Sequence, residues 1–392
     1  MPAIVPFGPS QATACFYEIA PQLSTARRSE YMNIQANLLS GASSFAAGET
    51  CSQAYCAPTV GQMPPVISSS ASRANASDSL LLLDMDNTLV DTRAWFADFI
   101  LSATNGIAEA LKEDHRIINQ LFAEIAGATT LHEYGYIIEA IASRLKKHRS
   151  VTHRKIERAS ERFWHEFSQE HKKIRTYDHV HSTLKEIRMQ FPGLKIVVLT
   201  DSPEWVTLER LHLTGLLPLV DGIVAIRTEV PKLRNRGYQR GLRLRQEEMR
   251  RLQEKIDRRH LQLHMAIPAS YAKPSSAGIE LAAKRLAVGN QIIIVGDKDH
   301  KEGLAARSWH LSQNAQERPS ASIRINYVRA HYGNYDLDHP RYLDLASHIP
   351  SLKAGIAEPV TGIEPVKSLD SFAHMTQTLE EIFSEQSEQQ AA

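Results

Sequence analysis

Apolar residues along this chain follow two periods. Short uninterrupted runs of the length of buried parallel strands occur at Ser79 to Leu83, Lys195 to Leu199, Gly222 to Ile226 and Gln291 to Val295, with a more mixed run at Ile323 to Val328. From Thr92 to Arg175 the spacing is helical instead. Trp95, Phe96, Phe99 and Ile100 share one face, as do Ile117, Ile118, Leu121, Phe122 and Ile125, followed by Tyr136, Ile137, Ile138 and Ile141. No strand-like run interrupts this stretch, which predicts a compact helical bundle. Beyond it, strands alternate with helices. One helix start is read at Ser202-Pro203-Glu204, with Ser202 as N-cap and Pro203 at the first helical position. The whole pattern predicts an α/β doubly wound parallel sheet, covered on both faces, with an all-helical domain inserted after the first strand.

The flanks read differently. Residues 1–77 hold 14 Ala and 16 Ser or Thr, but no Lys, three Arg and three Glu. They sustain no hydrophobic period, so 1–78 is expected to be a disordered Ser/Ala-rich leader. It lacks the charged start and apolar run of a secretory signal. A cytoplasmic location is expected, with organelle targeting or export into a host as alternatives. Residues 352–392 hold seven acids against two lysines, and 351–392 reads as an acidic, mobile tail with one helix around Met375 to Phe383.

Residues 227–262 contain 12 Lys or Arg against five acids, and Leu242, Met249, Leu252, Ile256 and Leu263 recur at near-heptad spacing. This predicts a basic amphipathic helical insertion over 227–265. It is either a packed helix with a solvated charged face or a docking surface for an acidic partner, nucleic acid or anionic lipid. Tyr238 is the only aromatic residue there, so base stacking has no support.

Composition narrows the classes. Over 392 residues, 45 basic and 44 acidic side chains leave a net charge of +1, which argues against a whole-protein polyanion binder. The three cysteines, Cys15, Cys51 and Cys56, all precede the first strand and exclude a disulfide framework. No apolar run approaches the roughly 20 residues that cross a bilayer. The 17 histidines form no spaced metal pair, and no glycine-rich nucleotide loop follows any strand.

The chemistry concentrates in Leu83-Asp84-Met85-Asp86-Asn87-Thr88. Two carboxylates just past a buried strand lie where open parallel sheets place their active sites. A second strand ends in Thr200-Asp201-Ser202, Lys273-Pro274 opens a helix, and a last strand runs into Gly296-Asp297. Taken in this order, over roughly residues 80–350, the four motifs resemble the haloacid dehalogenase-like hydrolase superfamily, mostly magnesium-dependent phosphatases.

The resemblance implies a core over 79–91 and 176–350 and a C1-type cap over 92–175. It implies a phosphomonoesterase working through an aspartyl-phosphate. Asp84 would be the nucleophile and Asp86 the general acid and base. Thr200 would hydrogen-bond a phosphoryl oxygen, and Lys273 would offset charge around Asp84. Thr88, Asp201 and Ser202 would contribute to substrate and phosphate binding. Magnesium would be held by Asp84, the Asp86 carbonyl, Asp297 and a further acid, a set of oxygen donors that suits a hard cation. An acid at position 86 separates the phosphatases and phosphomutases from the metal-independent dehalogenases.

The fourth motif departs from the family pattern, because position 301 is Lys where a second acid is common. Glu302 is one candidate for that acid and Asp299 the other. A helical cap implies a small phosphorylated metabolite as substrate. Trp95, Phe96 and Trp164 are candidates for the pocket lining or, more simply, for the bundle core. The alternatives are a phosphomutase of the same fold, a translocated bacterial effector with phosphatase activity, and a non-catalytic binding protein using the basic insertion.

Overall fold

Four consecutive leucines form strand β1 (Leu80–Leu83), and alternation sends them to opposite sides of a sheet. Leu81 and Leu83 join one buried cluster, and Leu80 and Leu82 another. A strand buried on both faces must sit inside the sheet. β1 pairs in parallel with β2 (Lys195–Pro203) on one side and β5 (Gln291–Gly296) on the other. The computed structural model describes residues 76–126, 151–227, 250–315, 323–332 and 363–391, with 138, 141, 142, 144, 145, 243 and 247 as isolated positions. All lie within one compact unit, Pro64–Ala392. Most of the leader lies outside the described residues, as do Tyr136, Ile137, Leu242 and Met249.

The sheet has seven strands in the order β4-β3-β2-β1-β5-β6-β7, with β3 (Gly222–Ile226), β4 (Leu263–Ile267), β6 (Arg324–Ala330) and β7 (Lys367–Leu369), all pairs parallel. Chain order runs outward from β1 through β4, then returns to the other side of β1 at β5. That reversal opens a crevice at the carboxyl ends of β1 and β5.

Helices α1 (Thr92–Leu111), α2 (His115–Ala126) and α3 (His153–His171) follow β1. Trp95, Phe99, Phe163 and Phe167 form an aromatic cluster between α1 and α3, with Trp95 stacked on Phe99 at 5.4 Å. Ile100, Ile118, Phe122, Ile138 and Ile141 are buried beside it, Leu121 is half-buried, and Ile117 is exposed. Trp164 packs edge-on against Phe163 and is core rather than pocket lining. The side chains of Phe96 and Ile125 lie outside the described residues.

One face of the sheet is covered by α4 (Val180–Gln190) and α5 (Glu204–Leu213), the other by α6 (Ala277–Arg285) and α7 (Leu304–Ala315). No helix among the described residues is long and apolar enough to cross a membrane.

Three expectations need correction. The C-terminal segment is not a detached tail. β7 extends the sheet beside β6, and α8 (Met375–Ala391) buries Met375, Leu379 and Phe383, with Phe383 against Phe191 at 5.4 Å. Glu381 is half-buried and Glu385 exposed on this helix, so net charge hid a packing surface.

Leu263 does not continue a basic helix. It begins edge strand β4, whose Leu-His-Met-Ala-Ile sequence lacks a strand-like apolar run but pairs with β3 through its backbone. In the described part of the basic segment, Arg250 pairs with Glu247 and Glu254, Arg251 with Glu247, and Arg259 with Asp257, all exposed. Such locally matched surface charges contribute little to stability.

Ser202 is not a helix cap. Strand β2 runs on to Pro203, which itself occupies the N-cap of α5 in an extended conformation.

If residues 363–391 are integral to the core, Phe383→Ala should destabilise the protein by about 3–5 kcal/mol. Urea unfolding followed by tryptophan fluorescence would show it, and an unchanged midpoint would contradict the packing described.

Candidate active site

The first residue past β1 is drawn toward β5, because the Asp84 amide donates to the Val295 carbonyl at 2.9 Å. The chain then reverses. Met85 O accepts from the amides of Leu89 and Val90, both at 3.0 Å. Asn87 adopts φ +61°, a left-handed conformation that asparagine tolerates, and its side chain accepts from Thr92 Oγ1 at 2.9 Å. The reversal pairs Asp86 with Val90 and holds both carboxylates at one end of the sheet. Thr88 is buried in the turn, with its carbonyl held by the Tyr332 hydroxyl at 2.6 Å. Its own hydroxyl has no hydrogen-bond partner among the described residues.

Lys273 enters from the loop before α6. Helix α6 starts only at Ala277, so Lys273-Pro274 precedes the helix rather than opening it, in keeping with the bias against helical conformation before proline. Its ammonium contacts Asp84 Oδ1 and Glu302 Oε1, each at 2.5 Å, and donates to Leu199 O at 3.3 Å. Its backbone amide donates to Asp201 Oδ1 at 3.0 Å, while Lys301 Nζ holds Asp201 Oδ2 at 2.8 Å. Both Asp201 oxygens are thus engaged by the loops that frame the site. The Asp201 side chain thereby links the backbone of Lys273 to the Lys301 ammonium. Thr200 is buried at the same strand end, and its hydroxyl accepts from Ser202 N at 3.1 Å.

Of the two candidate acids, the structure brings Glu302 and not Asp299 beside Asp84 and Asp297. Residues Asp299–Gly303 form a π-helical turn, which inserts one residue relative to an α-turn and presents position 302 inward. Gly296 makes room for it: a Cβ there would lie 2.2 Å from Glu302 Cγ. Lys298 N donates to Glu302 Oε2 at 3.1 Å. Asp299 turns away, accepting from Tyr327 at 2.9 Å and pairing with Arg329.

Ligand oxygens of Asp84, Asp297 and Glu302 lie within 4.8 Å of one another, and all three residues are buried. With all three carboxylates ionised, they and one ammonium would carry an excess of two negative charges. Burial drives the Asp84 carboxyl well above its usual range, with Glu302, Asp297 and Asp86 adding to the rise and Lys273 opposing it. Burial disfavours the Lys273 ammonium, yet Asp84, Glu302 and Asp201 more than offset this and hold its pKa well above normal. The donor set fits a divalent, oxygen-preferring cation in both charge and chemistry.

Asp86 is half-buried at the rim. Its Oδ2 accepts from Ser202 Oγ at 2.5 Å, and its Oδ1 pairs with Arg210 of α5. Arg210 is buried and escaped the sequence reading, because a single arginine on an amphipathic helix looks like a surface residue. His171 and Glu209, which pair at 2.9 Å next to it, were equally silent.

Residues 79–252 match the family described as haloacid dehalogenase-like hydrolase. No curated protein matches the chain. Among solved structures it is similar to a HAD phosphatase from Thermococcus onnurineus (13% identity, TM-score 0.43, 77% of this chain and 97% of that one). It is also similar to a predicted phosphoglycolate phosphatase from Haemophilus somnus 129pt (15%, 0.41, 76% and 96%). A third is L-2-haloacid dehalogenase from Xanthobacter autotrophicus (13%, 0.39, 76% and 97%).

Two outcomes follow from the cluster. Gly296→Ala should dislodge Glu302 and weaken divalent binding about as much as Glu302→Ala does, as read by isothermal titration. If Glu302→Ala binds as tightly as the wild type, Glu302 is not a ligand. Because burial raises the Asp84 pKa, protons compete with a bound cation for this carboxylate as pH falls. Apparent affinity should therefore rise with pH, and titrations in buffers of different ionisation enthalpy should report proton release.

Proposed function

Through residues 79–252 the chain belongs to the haloacid dehalogenase-like hydrolases, and from that premise we propose a magnesium-dependent phosphomonoesterase that turns over a small phosphorylated metabolite through a phosphoenzyme on Asp84. The observation that carries this reading is the buried cluster of Asp84, Asp297 and Glu302 around the Lys273 ammonium, with a second, differently held carboxylate at Asp86.

The chemistry divides between the two aspartates of the β1 turn. A phosphate monoester repels nucleophiles, so positioning and charge neutralisation must supply most of the acceleration. An Asp84 oxygen attacks phosphorus as the ester P–O bond breaks, and the departing oxygen takes a proton from Asp86. Water then attacks the phosphorus of the phosphoenzyme and gives its proton to Asp86. The bond between phosphorus and the Asp84 oxygen breaks, releasing phosphate and restoring the free carboxylate.

Lys273 offsets the charge gathered on Asp84 and on the phosphoryl group. The hydroxyls of Thr200 and, in the turn, Thr88 serve as donors to phosphoryl oxygens, while the Ser202 hydroxyl donates to Asp86 Oδ2 and supports that acid instead. Magnesium, held by Asp84, the Asp86 carbonyl, Asp297 and Glu302, would neutralise further negative charge on the phosphoryl oxygens. The helices of residues 92–171 act in this reading as a cap that excludes water and selects small leaving groups. A purely non-catalytic role is disfavoured by the intact set of Asp84, Asp86, Thr200, Lys273 and Asp297.

The test is a phosphate-release screen with magnesium over a panel of phosphorylated metabolites. Asp84→Asn should abolish turnover. Asp86→Asn should slow it by about 10²–10⁴-fold and leave labelled phosphoenzyme behind. Undiminished activity of Asp84→Asn would sink the assignment.

A further inference from the structure

Arg210 has no role in the chemistry above, yet it is the one buried arginine among the described residues, at 4% exposure. Four groups surround it. Its Nη1 pairs with Asp86 Oδ1 and lies 3.5 Å from Ser202 Oγ. Its Nε donates to His171 Nε2 at 3.2 Å, and its guanidinium stacks on the Trp95 ring at 5.0 Å from the centroid. On the other side of the ring, His171 Nδ1 lies 2.9 Å from Glu209 Oε2. The result is one continuous chain of polar contacts, Glu209 to His171 to Arg210 to Asp86.

The origins of these residues give the chain its meaning. Trp95 lies in the first turn of α1, where the inserted helices begin, and His171 is the last residue of α3, where they end. Both junctions of the insertion therefore press on one guanidinium, whose remaining arm grips the side chain two residues past the nucleophile. A planar fork can serve His171 and Asp86 at once, which a lysine ammonium on a flexible stem does not reproduce.

Stability alone is a weak reason to keep such a group. A buried ion pair often contributes no more than apolar residues of the same volume. Resting on the reading of Asp86 as general acid, we propose that Arg210 is a positioning residue. It fixes the Asp86 carboxyl against the leaving oxygen and makes that placement depend on how the inserted helices sit.

A leaving group that departs without help needs no proton, whereas an alkoxide does. The experiment is therefore single-turnover phosphoenzyme formation from p-nitrophenyl phosphate and from glycerol 2-phosphate, at saturating magnesium. The variants are Asp86→Asn, Arg210→Gln, Arg210→Lys, His171→Phe and the double variant Asp86→Asn/Arg210→Gln. Arg210→Gln should slow the glycerol ester about tenfold or more beyond any loss on the aryl ester, within the range general-acid catalysis commands. Arg210→Lys should not restore the ratio, and His171→Phe should shift it in the same direction. In the Asp86→Asn background, Arg210→Gln should add nothing.

An Arg210 that only supports the fold would slow both esters equally and add its loss to that of Asp86→Asn, which would overturn the proposal. If Arg210→Gln fails to fold, the same ratios from His171→Phe and Arg210→Lys decide. If Asp86→Asn itself leaves the ester ratio unchanged, the general-acid assignment fails, an outcome separate from failure at Arg210.

Discussion

The site turns on charge that does not balance. Asp84, Asp297 and Glu302 are held out of water with a single ammonium, Lys273, between two of them. Removing one partner from such a cluster typically costs about 3–5 kcal/mol, because the remaining charge is left buried and unpaired. The rest of the fold can be understood as what keeps these groups together. The interior position of β1 fixes Asp84, the return of the chain to β5 fixes Asp297, and the π-turn with Gly296 admits Glu302. Asp201, tied to both Lys273 and Lys301, keeps the ammonium from drifting out of the hollow. Its own pKa is lowered: burial opposes the charge, but Lys273 and Lys301 outweigh it.

Asp86 is handled by a different environment. It sits at the rim, with one oxygen on Ser202 and the other on Arg210. Two carboxylates separated by one residue are thereby given unlike surroundings, one enclosed beside Asp297 and Glu302, the other held by neutral and cationic donors. The same arrangement ties the rim to the inserted helices through Trp95 and His171.

The strands and motifs that build the sheet's centre were plain in the sequence because central strands are buried on both faces and read as unbroken apolar runs. β1, β3 and β5 carry that signature and fall where the runs do. Edge strands β4 and β7 need only backbone pairing on one side, so His264 and Lys367 can sit in them without disrupting an apolar pattern. The C-terminal helix was read around Met375 to Phe383, but its docking onto the core was obscured. Phe372, Met375, Leu379, Ile382 and Phe383 follow a helical spacing, but the acids between them dominated the composition. Asp84, Thr200, Lys273 and Asp297 were legible because each sits at a predictable strand end or loop. The choice of Glu302 over Asp299 depended on a local change of helical pitch that spacing alone does not reveal. Arg210 had no signal, since its partners are distant in the chain.

That distance bears on how the protein reaches its native state. Asp84 and Lys273 are separated by 189 residues, Asp86 and Ser202 by 116, and Thr88 and Tyr332 by 244. Contacts this remote in sequence close slowly, after local helices such as α1 and α3 have had ample time to form. The carboxylate hollow therefore exists only once strands from both halves of the sheet have come together. A divalent ion that binds it would act as a lock on the finished molecule rather than as a seed for assembly.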